Sequence, residues 1–130
     1  VPVDPKTIAM KKKIIICDDE LPILDVLTLA LSNDIHEIIP TSKSTELKAI
    51  IEDTEPDLLI VDLQMPFVKG DDIVREIKSS DRHGHIKVLM ISASLSGREI
   101  ADNCGADAFL AKPFDLDELE DLVKNLTNLG

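Results

Sequence analysis

The chain has no tryptophan, no tyrosine and only three phenylalanines, so aromatic platforms on which nucleic-acid bases could stack are missing. Cysteine is as scarce: Cys17 and Cys104 stand far apart without Cys-x-x-Cys spacing, and Cys17 sits inside an apolar run. Both read as packed thiols in a reducing compartment, which points to the cytoplasm. Positive charge is short as well, with 14 Lys and Arg against 25 Asp and Glu and a net charge of −11. That balance argues against direct nucleic-acid or anionic-membrane binding, both of which need a basic surface, and favours cations and basic partners. No apolar run approaches a membrane span, and the first residues lack the apolar centre of a signal peptide.

What is present suits one globular domain: 130 residues, 44% apolar and 30% charged, enough to bury a core without disulfides. Residues 1–9 hold two prolines and no period, and are expected to be an appended remnant or a linker, with the native start at Met10 and the domain over 10–130.

Lys11 to Lys13 form a solubilising run before Ile14-Ile15-Ile16-Cys17, which is too short for a helix and rich in β-branched residues, as a strand buried on both faces should be. From Pro22 to about Asn33 apolar residues recur at helical spacing. Ile35, Ile38 and Ile39 predict a weaker second strand stopped by Pro40, and Ser44 or Thr45 is placed to cap a helix carrying Leu47, Ile50 and Ile51. Pro56 ends that helix. Leu58 to Val61 predict a third strand running into Asp62, and Ile73, Val74 and Ile77 mark a third helix. The polar run Ser79 to His85 reads as a solvated connection. Lys87 to Ile91 predict a fourth strand, Ser96 to Asn103 a short helix stopped at Gly105, and Ala106 to Ala111 a fifth strand. Asp115 and Glu118 resemble a capping pair ahead of a final helix to the chain end. Strands and helices that alternate without hairpin signals imply an α/β doubly wound parallel sheet with helices on both faces.

In such a sheet the ligand crevice lies outside the carboxyl ends of the strands. Those ends carry Asp18 and Asp19, Asp62, Ser92 and Lys112. Carboxylates crowded there call for a raised pKa or a bound cation, and a hard ion such as Mg²⁺ suits them. A hydroxyl and an ammonium nearby would serve a phosphoryl group's oxygens. Taken singly, each residue has an ordinary role. An acidic residue is usually solvated, Ser92 can simply end a strand, Lys112 can be a surface lysine and Phe109 a core residue. His83 and His85 have no further Cys or His nearby in sequence, which disfavours a metal site.

Taken together, Asp18-Asp19 after an apolar strand, Asp62-Leu63-Gln64-Met65-Pro66 with Gly70 after it, Ser92-Ala93, Gly105-Ala106-Asp107 and Lys112-Pro113-Phe114 resemble the receiver domain of two-component response regulators, chemotaxis-Y-like, over Lys12 to Leu126. The resemblance implies a flavodoxin-like (βα)5 fold with strand order 2-1-3-4-5. It implies that Asp62 is the phosphoacceptor, taking a phosphoryl group from a histidine kinase, a histidine phosphotransfer protein or a small donor such as acetyl phosphate. Asp19, Asp62 and the backbone carbonyl of Gln64 would bind Mg²⁺ (or Mn²⁺) directly, Asp18 through water, and Ser92 and Lys112 would grip the phosphoryl oxygens. Ser92 and Phe109 would form the switch, and the Lys112-Pro113 bond would be cis. The fourth helix, fifth strand and fifth helix would change a contact with a downstream protein, an output domain or a second copy. By the same resemblance such a chain would not be a dedicated enzyme and is expected to catalyse only its own phosphorylation and dephosphorylation.

The chain departs from the commonest pattern in having Ser92 rather than Thr, and Phe109 without a tyrosine hydroxyl. Gln64 and Ser94 occupy positions that influence phosphoryl lifetime in the family. An alternative is a Mg²⁺-dependent phosphatase of the haloacid dehalogenase type, although Gln64 stands where that family's second aspartate belongs. A flavodoxin-like cofactor binder is disfavoured because the first strand leads into carboxylates instead of a phosphate-cradling loop.

Overall fold

The run Ile14 to Cys17 is at most 1% exposed, as an apolar strand with no polar face must be. In the computed structural model, which describes residues 11–127, it belongs to β1 (Lys12–Cys17). α1 (Leu21–Leu31), β2 (His36–Thr41), α2 (Leu47–Thr54), β3 (Leu58–Asp62) and α3 (Gly70–Ser79) follow. β4 (Lys87–Ser92), α4 (Gly97–Cys104), β5 (Ala108–Ala111) and α5 (Leu116–Thr127) complete the alternation. The strands form one parallel sheet in the order β2-β1-β3-β4-β5, as expected. The segment 1–9 and Met10 lie outside the described residues.

Alternate strand residues feed two cores. Ile15, Cys17, Leu59, Val61, Val88 and Met90 pack against α2, α3 and α4 through Leu47, Ile51, Ile73, Val74, Ile77 and Ala101. Ile14, Ile16, Leu58, Ile60, Leu89 and Ile91 face α1 and α5 through Leu24, Leu27, Leu31, Leu119 and Val123. Each fully buried Leu or Ile contributes about 1.5–3 kcal/mol, so the two layers hold the sheet from both sides. Between β1 and β3 the order reverses direction, which opens a crevice at their carboxyl ends.

Several local expectations are corrected. Pro40 does not stop β2, which continues to Thr41. β2 is an edge strand, where a proline's missing N–H can face solvent. Ser44 does not cap a helix with its side chain; it lies in a 3-10 turn (Ser44–Glu46) that leads into α2, and its hydroxyl donates to the Pro66 carbonyl at 2.7 Å. β5 begins at Ala108, not Ala106, because the Ala106 N–H bonds back to Ala101 and closes α4. Gly105, at φ 92°, is the expected stop of α4. Asp107 instead staples two elements, its carboxylate accepting from the Val88 N–H at 2.8 Å and from Lys78 Nζ at 2.7 Å. At α5 the Leu119 N–H bonds the Asp115 backbone carbonyl, and among the described residues no side-chain bond joins Asp115 to Glu118.

Candidate functional site

Asp62 is the last residue of β3, a strand whose five residues are all buried, so the strand carries its carboxylate to the crevice floor. Gly70 makes this close-packed end feasible: a β-carbon there would lie 2.6 Å from the Asp62 carbonyl oxygen. Asp18 follows the last residue of β1 and is 2% exposed. Its Oδ1 accepts the Glu20 N–H at 2.9 Å, a turn that starts α1.

Ser92 ends β4 and is fully buried, and its Oγ accepts the Ser94 N–H at 2.9 Å. The Ser92 carbonyl in turn accepts the Lys112 N–H at 2.9 Å, so the hydroxyl and the lysine leave adjacent strand ends from one shared backbone contact. The Lys112-Pro113 peptide is cis, as the resemblance implied.

Lys112 Nζ lies 3.1 Å from Asp18 Oδ2, 3.3 Å from Asp62 Oδ2 and 3.7 Å from Glu20 Oε1. Burial, working first and hardest, raises the Asp62 pKa above its ordinary value; the Gln64 N–H and the Lys112 charge oppose this without cancelling it. For Lys112 burial pulls downward, yet Asp62 and Asp18 outweigh it and the net shift is up. The ammonium therefore stays charged among the carboxylates. Cys17, on the strand below, has its thiol pushed up to about 12 by burial and then by Asp18 and Asp62, which makes it a packing residue and not a nucleophile. Its Sγ rests 3.4 Å from Met65 Sδ.

Of the residues chosen from sequence, Asp18, Asp62 and Lys112 meet directly, with Ser92 tied to Lys112 through backbone. Gln64 donates its N–H to Asp62 Oδ1 at 3.2 Å. Asp19 behaves differently: its side chain is exposed, and the three carboxylates whose oxygens lie within 4.8 Å of one another are Asp18, Glu20 and Asp62. Sequence reasoning gave Glu20 no role. Its signal was the i, i+2 spacing from Asp18, which returns a side chain to the same side of an extended chain. All donors in this cluster are oxygens, which fits a hard divalent cation such as Mg²⁺. His83 and His85 join no such cluster among the described residues.

This fold, with two buried carboxylates, a buried hydroxyl and a lysine at the switch point of the sheet, is the setting for a phosphoryl acceptor. The family model described as the response regulator receiver domain matches residues 14–124, and the chain belongs to that family. It is a receiver domain of two-component response regulators, a class phosphorylated on aspartate that works with histidine kinases and output domains.

Among curated proteins, the Phosphate regulon transcriptional regulatory protein PhoB of Pseudomonas aeruginosa is 31% identical over 114 residues, covering 83% of this chain and 48% of that protein. Sporulation initiation phosphotransferase F of Bacillus subtilis is 27% identical over 115 residues, covering 88% and 93%. The chain thus spans about half the length of the first relative and nearly all of the second. Among solved structures, a receiver domain protein of Clostridium thermocellum has a TM-score of 0.80 at 31% identity, covering 90% of this chain and 94% of that one. A response regulator of Chloroflexus aurantiacus has a TM-score of 0.85 at 26% identity, covering 91% and 98%. The haloacid dehalogenase alternative is not supported, since the match to the receiver family runs through Gln64, the residue that breaks the phosphatase signature.

Among the described residues no helix is long and apolar enough to cross a membrane.

Proposed function

We propose that Asp62 is the residue that receives the phosphoryl group, from a histidine kinase, a histidine phosphotransfer protein or acetyl phosphate. The observation that carries this is Lys112 Nζ bridging Asp62 and Asp18 in a buried crevice, with Ser92 bonded to the same lysine's backbone. A carboxylate oxygen of Asp62 attacks phosphorus and an O–P bond forms. The donor's P–N bond, or the P–O bond of acetyl phosphate, breaks, and the leaving group departs with the electron pair. A carboxylate held above its ordinary pKa is a stronger nucleophile than a free one. Lys112 supplies charge and Ser92 a hydroxyl donor to the phosphoryl oxygens. Asp19, Asp62 and the Gln64 carbonyl would hold Mg²⁺ directly and Asp18 through water, with Glu20 at the rim; Mn²⁺ would substitute. Bound there, the cation would offset charge on the transferred group.

Ser92 and Phe109 act as the switch, and the surface of α4, β5 and α5 answers to a downstream protein, an output domain or a second copy of the chain. The domain over 10–130 acts in the cytoplasm and makes no direct nucleic-acid contact, in line with its net charge of −11. It turns over no substrate beyond its own phosphorylation and dephosphorylation.

The test is intact-protein mass spectrometry after incubation with acetyl phosphate and Mg²⁺. One base-labile phosphoryl adduct on the wild type, absent from Asp62→Asn, is expected. An unmodified wild type, or an equal adduct on Asp62→Asn, defeats the assignment.

A further inference from the structure

Both switch residues pack against one glycine. Gly97, at the first turn of α4, stands between them: a β-carbon built on it would lie 2.9 Å from two carbons of the Phe109 ring and 3.0 Å from the Ser92 β-carbon. A side chain at this position would collide with both, so the bare α-carbon is what lets the ring and Ser92 pack here together. The next residue holds the ring from another direction. The Arg98 guanidinium carbon lies 5.3 Å from the centroid of Phe109, within range of a cation–π contact. Phe109 is half-buried and Arg98 exposed, so solvent still reaches the charge that lies over the ring.

We propose that Arg98 is a positioning residue that acts through Phe109, a latch holding the ring in its unphosphorylated place and so raising the threshold for phosphorylation at Asp62. The inference rests on the phosphoacceptor and switch assignments above. A contact made in one state and lost in the other shifts the equilibrium by its own free energy. The switch that the resemblance implies has Ser92 moving toward a phosphoryl group and the Phe109 ring turning inward after it. As the ring follows, it leaves the guanidinium. The latch thus opposes the change, and removing it strengthens every ligand that favours the switched state, while Mg²⁺ alone is unaffected.

The experiment uses the full chain and the phosphoryl mimic beryllofluoride with Mg²⁺. Its affinity is measured by calorimetry, and the rings are followed by NMR with ¹³C-labelled phenylalanine. Only three phenylalanines need assignment. Arg98→Gln is expected to bind the mimic about two- to fivefold more tightly, the size of an exposed cation–π contact. Its Phe109 signal, before any mimic is added, should move toward the bound position. Arg98→Lys should recover part of the wild-type behaviour, and Arg98→Gln added to Phe109→Leu should change nothing further.

Wild-type binding with unchanged or weaker affinity in Arg98→Gln overturns the latch and leaves the phosphoacceptor assignment standing. An equal gain from Arg98→Gln in the Phe109→Leu background also overturns it, because the arginine then acts elsewhere. A wild type that binds no mimic defeats the phosphoacceptor assignment and the latch with it.

Discussion

Lys112 Nζ lies 3.3 Å from Asp62 Oδ2 and 3.1 Å from Asp18 Oδ2, so one ammonium joins the ends of three strands. Its side chain is 11% exposed and those of the two aspartates 5% and 2%, so little water screens the three charges. This is a poor arrangement for stability and a good one for chemistry: the carboxylates are desolvated, and the single counter-charge is shared.

Asp62→Asn should therefore stabilise the metal-free protein at neutral pH, read as a higher midpoint in urea denaturation. The folded pKa of Asp62 is raised above its ordinary 3.8, so in the window above that value the folded chain holds more protons than the unfolded one. Stability contributed by this group falls as pH rises through the window, and the penalty is complete once pH has passed the folded value. The gain from Asp62→Asn should shrink as pH is lowered toward 3.8. A gain that stays constant with pH would mean another cause.

Lys112→Gln should cost about 3 kcal/mol in the absence of divalent ions, because it leaves buried carboxylates without their partner. Added Mg²⁺ should restore more stability to this variant than to the wild type, since a cation can replace the lost ammonium. The folded pKa of Lys112 is raised above 10.5, so its contribution is complete below that pH and is lost as pH rises through the folded value. The difference between the proteins should accordingly hold from pH 7 to pH 10 and then diminish. Thermal melts with and without Mg²⁺ decide the matter.

Asp19→Asn and Glu20→Gln separate two readings of the rim. Asp19 is the ligand by resemblance, while Glu20 is the residue whose carboxylate joins Asp18 and Asp62. The expected result is a loss of at least about tenfold in Mg²⁺ affinity for Asp19→Asn and a smaller one for Glu20→Gln, by calorimetry. The reverse order would make Glu20 the ligand.

Phe67 is 93% exposed and has φ 72°, at the centre of a tight turn closed by the Val68 N–H on the Pro66 carbonyl at 2.9 Å. A non-glycine residue pays strain in that conformation, and this one buries almost nothing in return. Phe67→Gly should raise stability by roughly 0.5–1 kcal/mol, net of the glycine's greater freedom when unfolded. A lower urea midpoint would show that the ring has a packing role.

The alternation of strands and helices was legible because each strand is an apolar run too short for a helix, and each helix repeats its apolar residues every three or four positions. Asp62 and Lys112 were legible as polar residues at the ends of such runs. Pro40 misled because a proline stops a strand only where its N–H is needed, and β2 lies at the sheet edge, the place that the implied strand order already gave it. Ser44 misled too: a hydroxyl that locally would cap a helix finds the carbonyl of Pro66, which lies distant in sequence. Asp107 went unread as a staple because its partners Val88 and Lys78 come from two other elements.

By itself the sequence determined which residue types stand at the carboxyl ends of the strands, because hydrophobic period and turn chemistry are local properties of the chain. Only the tertiary structure decided which side chains meet there. Asp18 turns inward and ties the Glu20 N–H, so Glu20 returns to the crevice while Asp19 faces solvent. The physical reason is that side-chain direction beyond a strand's last residue follows from hydrogen bonds made in the turn, and these depend on where the neighbouring strands end.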